Sequence, residues 1–153
     1  MARTIVLRIV EHDVSAVADL LDERAPQTSA LIWDALPVEG RLVHGMFSGP
    51  ELFIVLPGFP AVPAENQVCR ALPGDVGYWH LEGGLHASAP DEVAELVFVY
   101  DRGVEIKGSD GQASWVNLFA QIRLAESEEF IAVSKRYRTE GPWTLRVERG
   151  EGG

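Results

Sequence analysis

His44 is the ionisable side chain best placed to do chemistry, because it stands beside a Gly/Ser/Pro turn at the edge of the apolar run 52–56. Imidazole titrates near neutral pH, so His44 could act as a general base or contact a ligand. No serine or carboxylate stands at a spacing typical of a catalytic pair, so a histidine hydrogen-bonded to a neighbouring strand or loop is the competing and favoured interpretation. His44 is therefore a candidate binding residue, and the sequence predicts no catalytic residue.

The remaining histidines show no metal-binding pattern. His80 and His86 lie six residues apart across a glycine-bearing segment, His12 is distant, and no cysteine or second carboxylate accompanies them. Residues 82–84 (Glu-Gly-Gly) are too short for a phosphate cradle and lack the following Lys-Ser/Thr. We predict neither a metal nor a cofactor.

Aromatic and polar side chains in the second half of the chain could complete a binding cleft with His44, since pockets usually combine apolar walls with a few polar groups. The candidates are Trp79, Tyr100 and Trp115, with Glu65, Asn66, Arg102 and Asn117. Two alternatives stay open: the aromatic residues could belong to the core, and the Glu65–Asn66 pair could fasten a loop. The predicted ligand is a small molecule or a peptide.

Length and charge limit the class of protein. A chain of 153 residues, 46% apolar and 24% charged, suits one globular domain, and its longest apolar run is far too short to span a bilayer. A formal net charge of -10 repels nucleic-acid backbones and anionic membranes. We expect neither partner.

Cys69 is the only cysteine, so no internal disulfide can form and a reducing compartment is indicated. The N-terminal residues lack the apolar length and small-residue cleavage site of a signal peptide. We expect a cytoplasmic protein.

Strands dominate the predicted secondary structure. Ile5, Leu7 and Ile9 alternate with Thr4, Val6 and Arg8, which indicates a strand with one apolar face. Two other runs, 52–56 and 95–100, are apolar on both faces, as strands between two layers are. The predicted strands lie within residues 3–10, 15–21, 42–45, 52–56, 72–79, 95–100, 114–122 and 143–148.

Two helices complete the pattern. Thr28, Leu31, Ile32, Ala35 and Leu36 recur at helical period after a proline, which predicts a helix over 26–36. Acidic residues at the start and basic residues at the end predict a second helix over 128–138. A mobile loop is expected over 81–90.

This pattern favours a mainly β fold: a closed β-barrel of seven or eight strands capped by two helices, in a single domain over 1–148 with a disordered tail over 149–153. The last strand, 143–148, is expected at a half-exposed edge. Small barrels with such edges often pair, so a homo-oligomer is possible.

Four sequence blocks in one order resemble a family of small bacterial cyclophilin-like proteins of unknown function. They are Gly-Pro-Glu-Leu-Phe at 49–53, Glu-Asn at 65–66, Gly-Asp-Val-Gly-Tyr-Trp at 74–79 and Trp-Val-Asn at 115–117. The resemblance extends over residues 3–148 and implies a cyclophilin-like barrel, without an assigned activity.

True cyclophilins are peptidyl-prolyl isomerases, and their Phe-His-Arg strand supplies an arginine that hydrogen-bonds the twisted prolyl amide. The corresponding stretch here is Val43-His44-Gly45, so glycine stands at the arginine position. Isomerisation needs a donor aimed at the twisted amide, and without it this activity is not expected.

Two functions remain open. The first is a binding protein that takes a small polar or amide-bearing ligand in a cleft beside the barrel. The second is an enzyme or accessory subunit in bacterial hydrolysis of amides or cyclic amides, a role taken only by analogy with related barrels.

Overall fold

The alternation at the start of the chain forms a strand as predicted. In β1 (Thr4–Ile9), the side chains of Ile5, Leu7 and Ile9 are completely buried, whereas Val6 and Arg8 are partly exposed. The computed structural model describes residues 2–83 and 91–151. Part of the predicted mobile loop, residues 84–90 with His86, lies outside these described residues.

Within the described residues the fold has ten strands and three α-helices. The strands are β1 (Thr4–Ile9), β2 (Val14–Leu20), β3 (Val38–Arg41), β4 (Val43–His44), β5 (Glu51–Val55), β6 (Gln67–Val68), β7 (Asp75–Leu81), β8 (Val93–Val99), β9 (Val116–Ile122) and β10 (Thr144–Arg149). The helices are α1 (Pro26–Ala35), α2 (Glu128–Ser134) and α3 (Tyr137–Glu140).

All ten strands belong to one antiparallel sheet that closes almost completely into a barrel. Its order is β3-β10-β1-β2-β9-β7-β8-β5-β4, and β6 pairs with β9 beside this path. Only Leu42 separates β3 from β4, so one stretch of chain forms both ends of the sheet. The Leu42 N–H donates to the carbonyl of Trp143 (2.9 Å), and its own carbonyl accepts a hydrogen bond from the Tyr137 hydroxyl.

Apolar side chains from the long strands fill the barrel interior and form the main hydrophobic core. Leu52 and Ile54 of β5, and Leu96 and Phe98 of β8, point inward and are fully buried. The Phe98 ring packs against Phe130 of α2, with ring centroids 5.3 Å apart. Helices α1 and α2 pack against β9 and β2 respectively.

The mainly β barrel is confirmed, with differences in detail. β3 and β6 are additional strands, and the predicted second helix is divided at Ser134 into α2 and α3. The last strand was expected at an edge, which is wrong: β10 pairs with β1 on one side and with β3 on the other. The exposed-edge reason for a homo-oligomer therefore does not hold.

The C-terminal segment remains attached to the barrel beyond the predicted domain boundary. Arg149 belongs to β10, and the Gly150 N–H donates to the carbonyl of Thr4 (2.7 Å). Residues 152 and 153 lie outside the described part of the chain. No helix among the described residues is long and apolar enough to cross a membrane.

Candidate functional site

A cavity of about 210 Å³ lies on the outer face of the barrel, over β4, β5, β7, β8 and β9. Its floor is the Phe53–Val97 pair, which the register of β5 and β8 places directly opposite each other. Residues 104–109 cross the sheet and form the other side, with Ile106 buried in a small apolar cluster around Val97. This covering explains why β8 is apolar on both faces.

Two glutamates stand on the same outer face as the floor pair. Glu51 lies two residues before Phe53 on β5, and Glu95 lies two residues before Val97 on β8. Because the strands are antiparallel, with Glu51 opposite Val99 and Glu95 opposite Val55, the two acids flank the floor from opposite ends. Both side chains line the cavity.

The carboxyl group of Glu51 occupies space that Gly45 leaves free. A Cβ atom on Gly45 would lie 2.8 Å from Glu51 Cγ and closer still to Oε1, so any larger residue there would displace this carboxyl. Glu51 is only 6% exposed, and its carboxyl interacts with the buried hydroxyl of Ser48, which also lies 3.4 Å from the carbonyl oxygen of Lys107. The glycine at position 45 thus leaves the room that the Glu51 carboxyl needs inside the cavity.

Burial keeps both acids protonated to unusually high pH. Loss of solvation raises the pKa of Glu51 to about 7, although the hydrogen bond from Ser48 opposes the shift. Loss of solvation, together with the negative charge of Glu51, raises the pKa of Glu95 to about 8. At neutral pH the pair therefore combines an acid that can donate a proton with a carboxylate that can accept one.

His44 lies at the rim of this cavity and is fixed by two hydrogen bonds. Nδ1 is 2.8 Å from the carbonyl oxygen of Gly45 and 3.3 Å from Nε of Arg138. The carbonyl contact is the shorter one and a carbonyl can only accept, so Nδ1 carries the proton and the Arg138 N–H does not donate to it. Nε2 then accepts from the Tyr100 hydroxyl, 2.7 Å away. Burial, and the nearby Arg138 guanidinium, lower the pKa of His44, while burial raises that of Tyr100. The pair is neutral at pH 7.

The segment that covers the cavity is joined to the β4–β5 connection through Ser48. The Lys107 N–H donates to Ser48 Oγ (2.9 Å), and the Glu105 N–H donates to the carbonyl of Ser48 (3.1 Å). The Lys107 side chain also borders the cavity. Trp79, one of the predicted site residues, forms part of the wall and donates from Nε1 to Ser114 Oγ (2.8 Å).

Three other predicted site residues form a hydrogen-bonded network at the start of α1, away from the cavity. Glu65 Oε1 accepts from the Thr28 N–H (2.6 Å) and hydroxyl (2.8 Å). The Asn117 side chain bonds Thr28 Oγ1, the Pro63 carbonyl and the Glu65 N–H. Asn66, with a positive φ of 48°, donates to the carbonyl of Leu118 (2.8 Å). These contacts match the loop-fastening alternative.

The last two candidates lie apart from His44. Arg102 is exposed in the segment after β8. Trp115 is 53% exposed and borders a separate cavity together with Asn117, Tyr78 and His80. The structure thus brings together His44, Tyr100 and Trp79 of the eight predicted residues and distributes the other five over three further places.

Glu51 and Glu95 were not predicted as site residues, although the sequence contains a signal for them. Each is the single charged residue on the outer face of an otherwise apolar strand: Glu51-x-Phe53-x-Val55 and Glu95-x-Val97-x-Val99. An acid at such a position is buried whenever the second face of the strand is covered. Among residues 2–83 and 91–151, no three or more His, Cys, Asp or Glu side chains are grouped as metal ligands would be.

The chain belongs to DUF3830, a family of proteins of unknown function, whose model matches residues 7–148. No curated protein matches it. Among solved structures, the fold is similar to McbB in complex with tryptophan (TM-score 0.68, 18% identity, 97% of this chain and 45% of that chain). It is also similar to the hypothetical protein AF2241 from Archaeoglobus fulgidus (TM-score 0.59, 22% identity, 97% and 95%). This chain therefore spans about half the length of McbB.

Proposed function

We propose that this protein binds a small polar or amide-bearing molecule in the cavity between Glu51 and Glu95. The single observation that carries the proposal is a buried acid, Glu51, and a partly buried one, Glu95, on an apolar floor, without a cationic partner within salt-bridge distance among the described residues. Burial of a carboxyl group costs free energy, and a bound ligand that pairs with it recovers part of that cost.

An amide suits this pair because an amide has one acceptor, its carbonyl oxygen, and one donor, its N–H group. A protonated glutamic acid donates to the carbonyl, and a carboxylate accepts from the N–H. The acids flank Phe53 and Val97, so the apolar part of the ligand rests on this floor and against Trp79.

We propose that the barrel is cyclophilin-like but does not catalyse prolyl isomerisation. The isomerase arginine would have to occupy the space at Gly45, which holds the Glu51 carboxyl. McbB, a structural neighbour, is described in complex with tryptophan, which gives weak support for a small-molecule site on this fold. Its identity of 18% carries no ligand over to this chain.

The proposed setting is the cytoplasm, with a small molecule or a short peptide as partner. The net charge of -10 argues against nucleic acid and anionic membranes. A homo-oligomer remains a prediction, and light scattering would test it by measuring the molar mass in solution.

Isothermal titration calorimetry with neutral amides, such as N-acetylphenylalaninamide, and with amino acids and hydantoins tests the proposal. A ligand that binds should stabilise the protein in a thermal-shift measurement. Its affinity should fall about tenfold between pH 6.5 and 9, because the protonated glutamic acid ionises and no longer donates a hydrogen bond to the ligand. The Glu51→Gln and Glu95→Gln variants should alter this pH dependence. The control Glu23→Gln, in the exposed turn before α1, should not.

The absence of binding across this panel would refute the proposal for amides. Binding that strengthens as pH rises would indicate a cationic amine as the ligand, because ionised glutamates attract an ammonium group. Binding that is unaffected by both cavity variants would place the site elsewhere, for example beside Trp115.

A further inference from the structure

The two acids of the cavity are placed to work on one ligand from opposite ends. We propose that Glu51 and Glu95 are catalytic residues that together transfer protons to and from a bound carbonyl compound, which makes the cavity an enolising active site. This inference rests on the proposed function, because the pair can act only on a molecule that binds over Phe53 and Val97. The substrate class is a small amide or cyclic amide with a hydrogen on the carbon next to its carbonyl.

The geometry suits a reaction that needs an acid and a base on different sides of one small molecule. The floor pair lies between the two glutamates in the strand register, so the two acids start from opposite ends of the floor. Glu51 is fixed by Ser48 and by the space at Gly45, and Glu95 stands beside Trp79 in the register of β7 and β8. A ligand that rests over the floor with the breaking C–H bond directed at the carboxylate thus has the other carboxyl at its carbonyl end.

The proton transfer balances without any co-reactant. The carboxylate takes the proton from the α-carbon, so a C–H bond breaks and an O–H bond forms. The electron pair of the C–H bond becomes the carbon–carbon double bond of an enol, and the carbonyl oxygen takes the proton of the carboxylic acid. In the reverse step the α-carbon takes a proton, and the enol hydroxyl returns its proton to the carboxylate that had donated it, which regenerates the carbonyl compound. Protonation of one face of the enol retains the stereocentre, and protonation of the other face inverts it.

The charges around the cavity support a reaction in which one glutamate donates a proton and the other accepts one. Among the residues that the structure describes, the titratable ones that border the cavity are His44, Glu51, Glu95 and Lys107. His44 is neutral and is hydrogen-bonded to Gly45 and Tyr100. It therefore neither takes a proton from the two glutamates nor competes with them for the proton of the substrate. The pKa values of about 7 and 8 let one carboxyl donate while the other accepts near neutral pH, as general acid–base catalysis requires.

Hydrogen–deuterium exchange at C5 of L-5-benzylhydantoin is the test. This probe has an amide ring, an acidic α-hydrogen and an aromatic substituent for the apolar wall. Proton NMR in D₂O at neutral pH follows loss of the C5 hydrogen, and chiral chromatography follows racemisation. The wild-type protein should accelerate exchange at least about 100-fold over buffer, the lower end of general acid–base effects.

Glu51→Gln and Glu95→Gln should each return the exchange rate close to that of buffer, because glutamine keeps the shape but neither donates nor accepts the proton. Glu23→Gln should keep the wild-type rate. A thermal shift on the same samples reports binding separately.

A stabilising thermal shift with exchange at the buffer rate would overturn this inference and leave the proposed function standing. Ring opening to the carbamoyl amino acid without exchange at C5 would also overturn it, in favour of hydrolysis. If neither this probe nor the other amides bind, the proposed function fails and the inference fails with it.

Discussion

The two cavity acids should make the protein less stable as the pH rises, and this effect can be calculated from their pKa values. In the unfolded chain a glutamate has a pKa of about 4.5, whereas burial raises the pKa of Glu51 to about 7 and that of Glu95 to about 8. The folded state therefore holds protons that the unfolded state has released. Their stabilising contribution is fully present below about pH 4.5 and is lost as the pH passes through 7 and 8.

Each pH unit over which the folded state holds one additional proton changes the free energy of unfolding by about 1.4 kcal/mol. Between pH 6.5 and 9, Glu95 releases most of its proton, and Glu51 releases nearly all of the proton fraction that it still holds at pH 6.5. Allowing for the partial exposure of Glu95, the free energy of unfolding should fall by about 2 kcal/mol. The lowered pKa of His44 acts in the opposite direction, but only below its unfolded value of 6.5.

Urea unfolding followed by circular dichroism at pH 6.5, 7.5, 8.5 and 9 measures this effect. The Glu51→Gln/Glu95→Gln double variant should show a nearly constant free energy of unfolding over this range, and it should be more stable than the wild type at pH 9. Glu23→Gln provides the matched control and should follow the wild type. A wild-type protein whose stability is constant or increases from pH 6.5 to 9 would contradict the assignment of two buried, protonated acids.

Three further substitutions test particular contacts. Gly45→Ala should displace the Glu51 carboxyl, cost about 1–2 kcal/mol in urea unfolding and abolish ligand-induced thermal stabilisation; retained stabilisation would show that this carboxyl is not in the site. Gly77→Ala should cost about 2 kcal/mol, because its Cβ would lie 2.6 Å from Val116 Cγ2, and Val116→Ala should restore part of this loss in a double-mutant cycle. Asn117→Ala should cost about 2–3 kcal/mol by the same assay, since it leaves buried partners unsatisfied, and should leave ligand affinity unchanged; a lower affinity would instead support its predicted binding role.

Local patterns were sufficient to predict most of the barrel. β1 is visible as an alternation of buried and partly exposed residues, and α1 begins at the proline that indicated it. β3 (Val-Glu-Gly-Arg) has too few apolar residues to indicate a strand, and it forms because β10 offers a partner on its open side. Such pairing depends on residues about 100 positions away, which no window of the sequence contains.

Only part of the candidate site could be predicted, because a sequence shows residue types but not the distances between side chains. His44 was predicted as a binding residue beside a cleft, and in the structure it lines the cavity. Its hydrogen bond to Tyr100 could not be predicted, because only the fold brings Tyr100 near. From the sequence, Glu65 and Asn117 could either contact a ligand or fasten a loop. In the structure both side chains are hydrogen-bonded to Thr28. Only the folded structure shows that residues 104–109 lie over the outer face and border the same cavity as Glu51.

Carbon-13 NMR of protein labelled at the glutamate carboxyl carbons tests the central claim most directly. When an amide such as N-acetylphenylalaninamide is added at pH 7.5, the resonances of Glu51 and Glu95, assigned with the two glutamine variants, should shift, and the other glutamates should remain unchanged. Shifts confined to other glutamates, such as Glu65 or Glu82, would place the ligand outside this cavity and contradict the account.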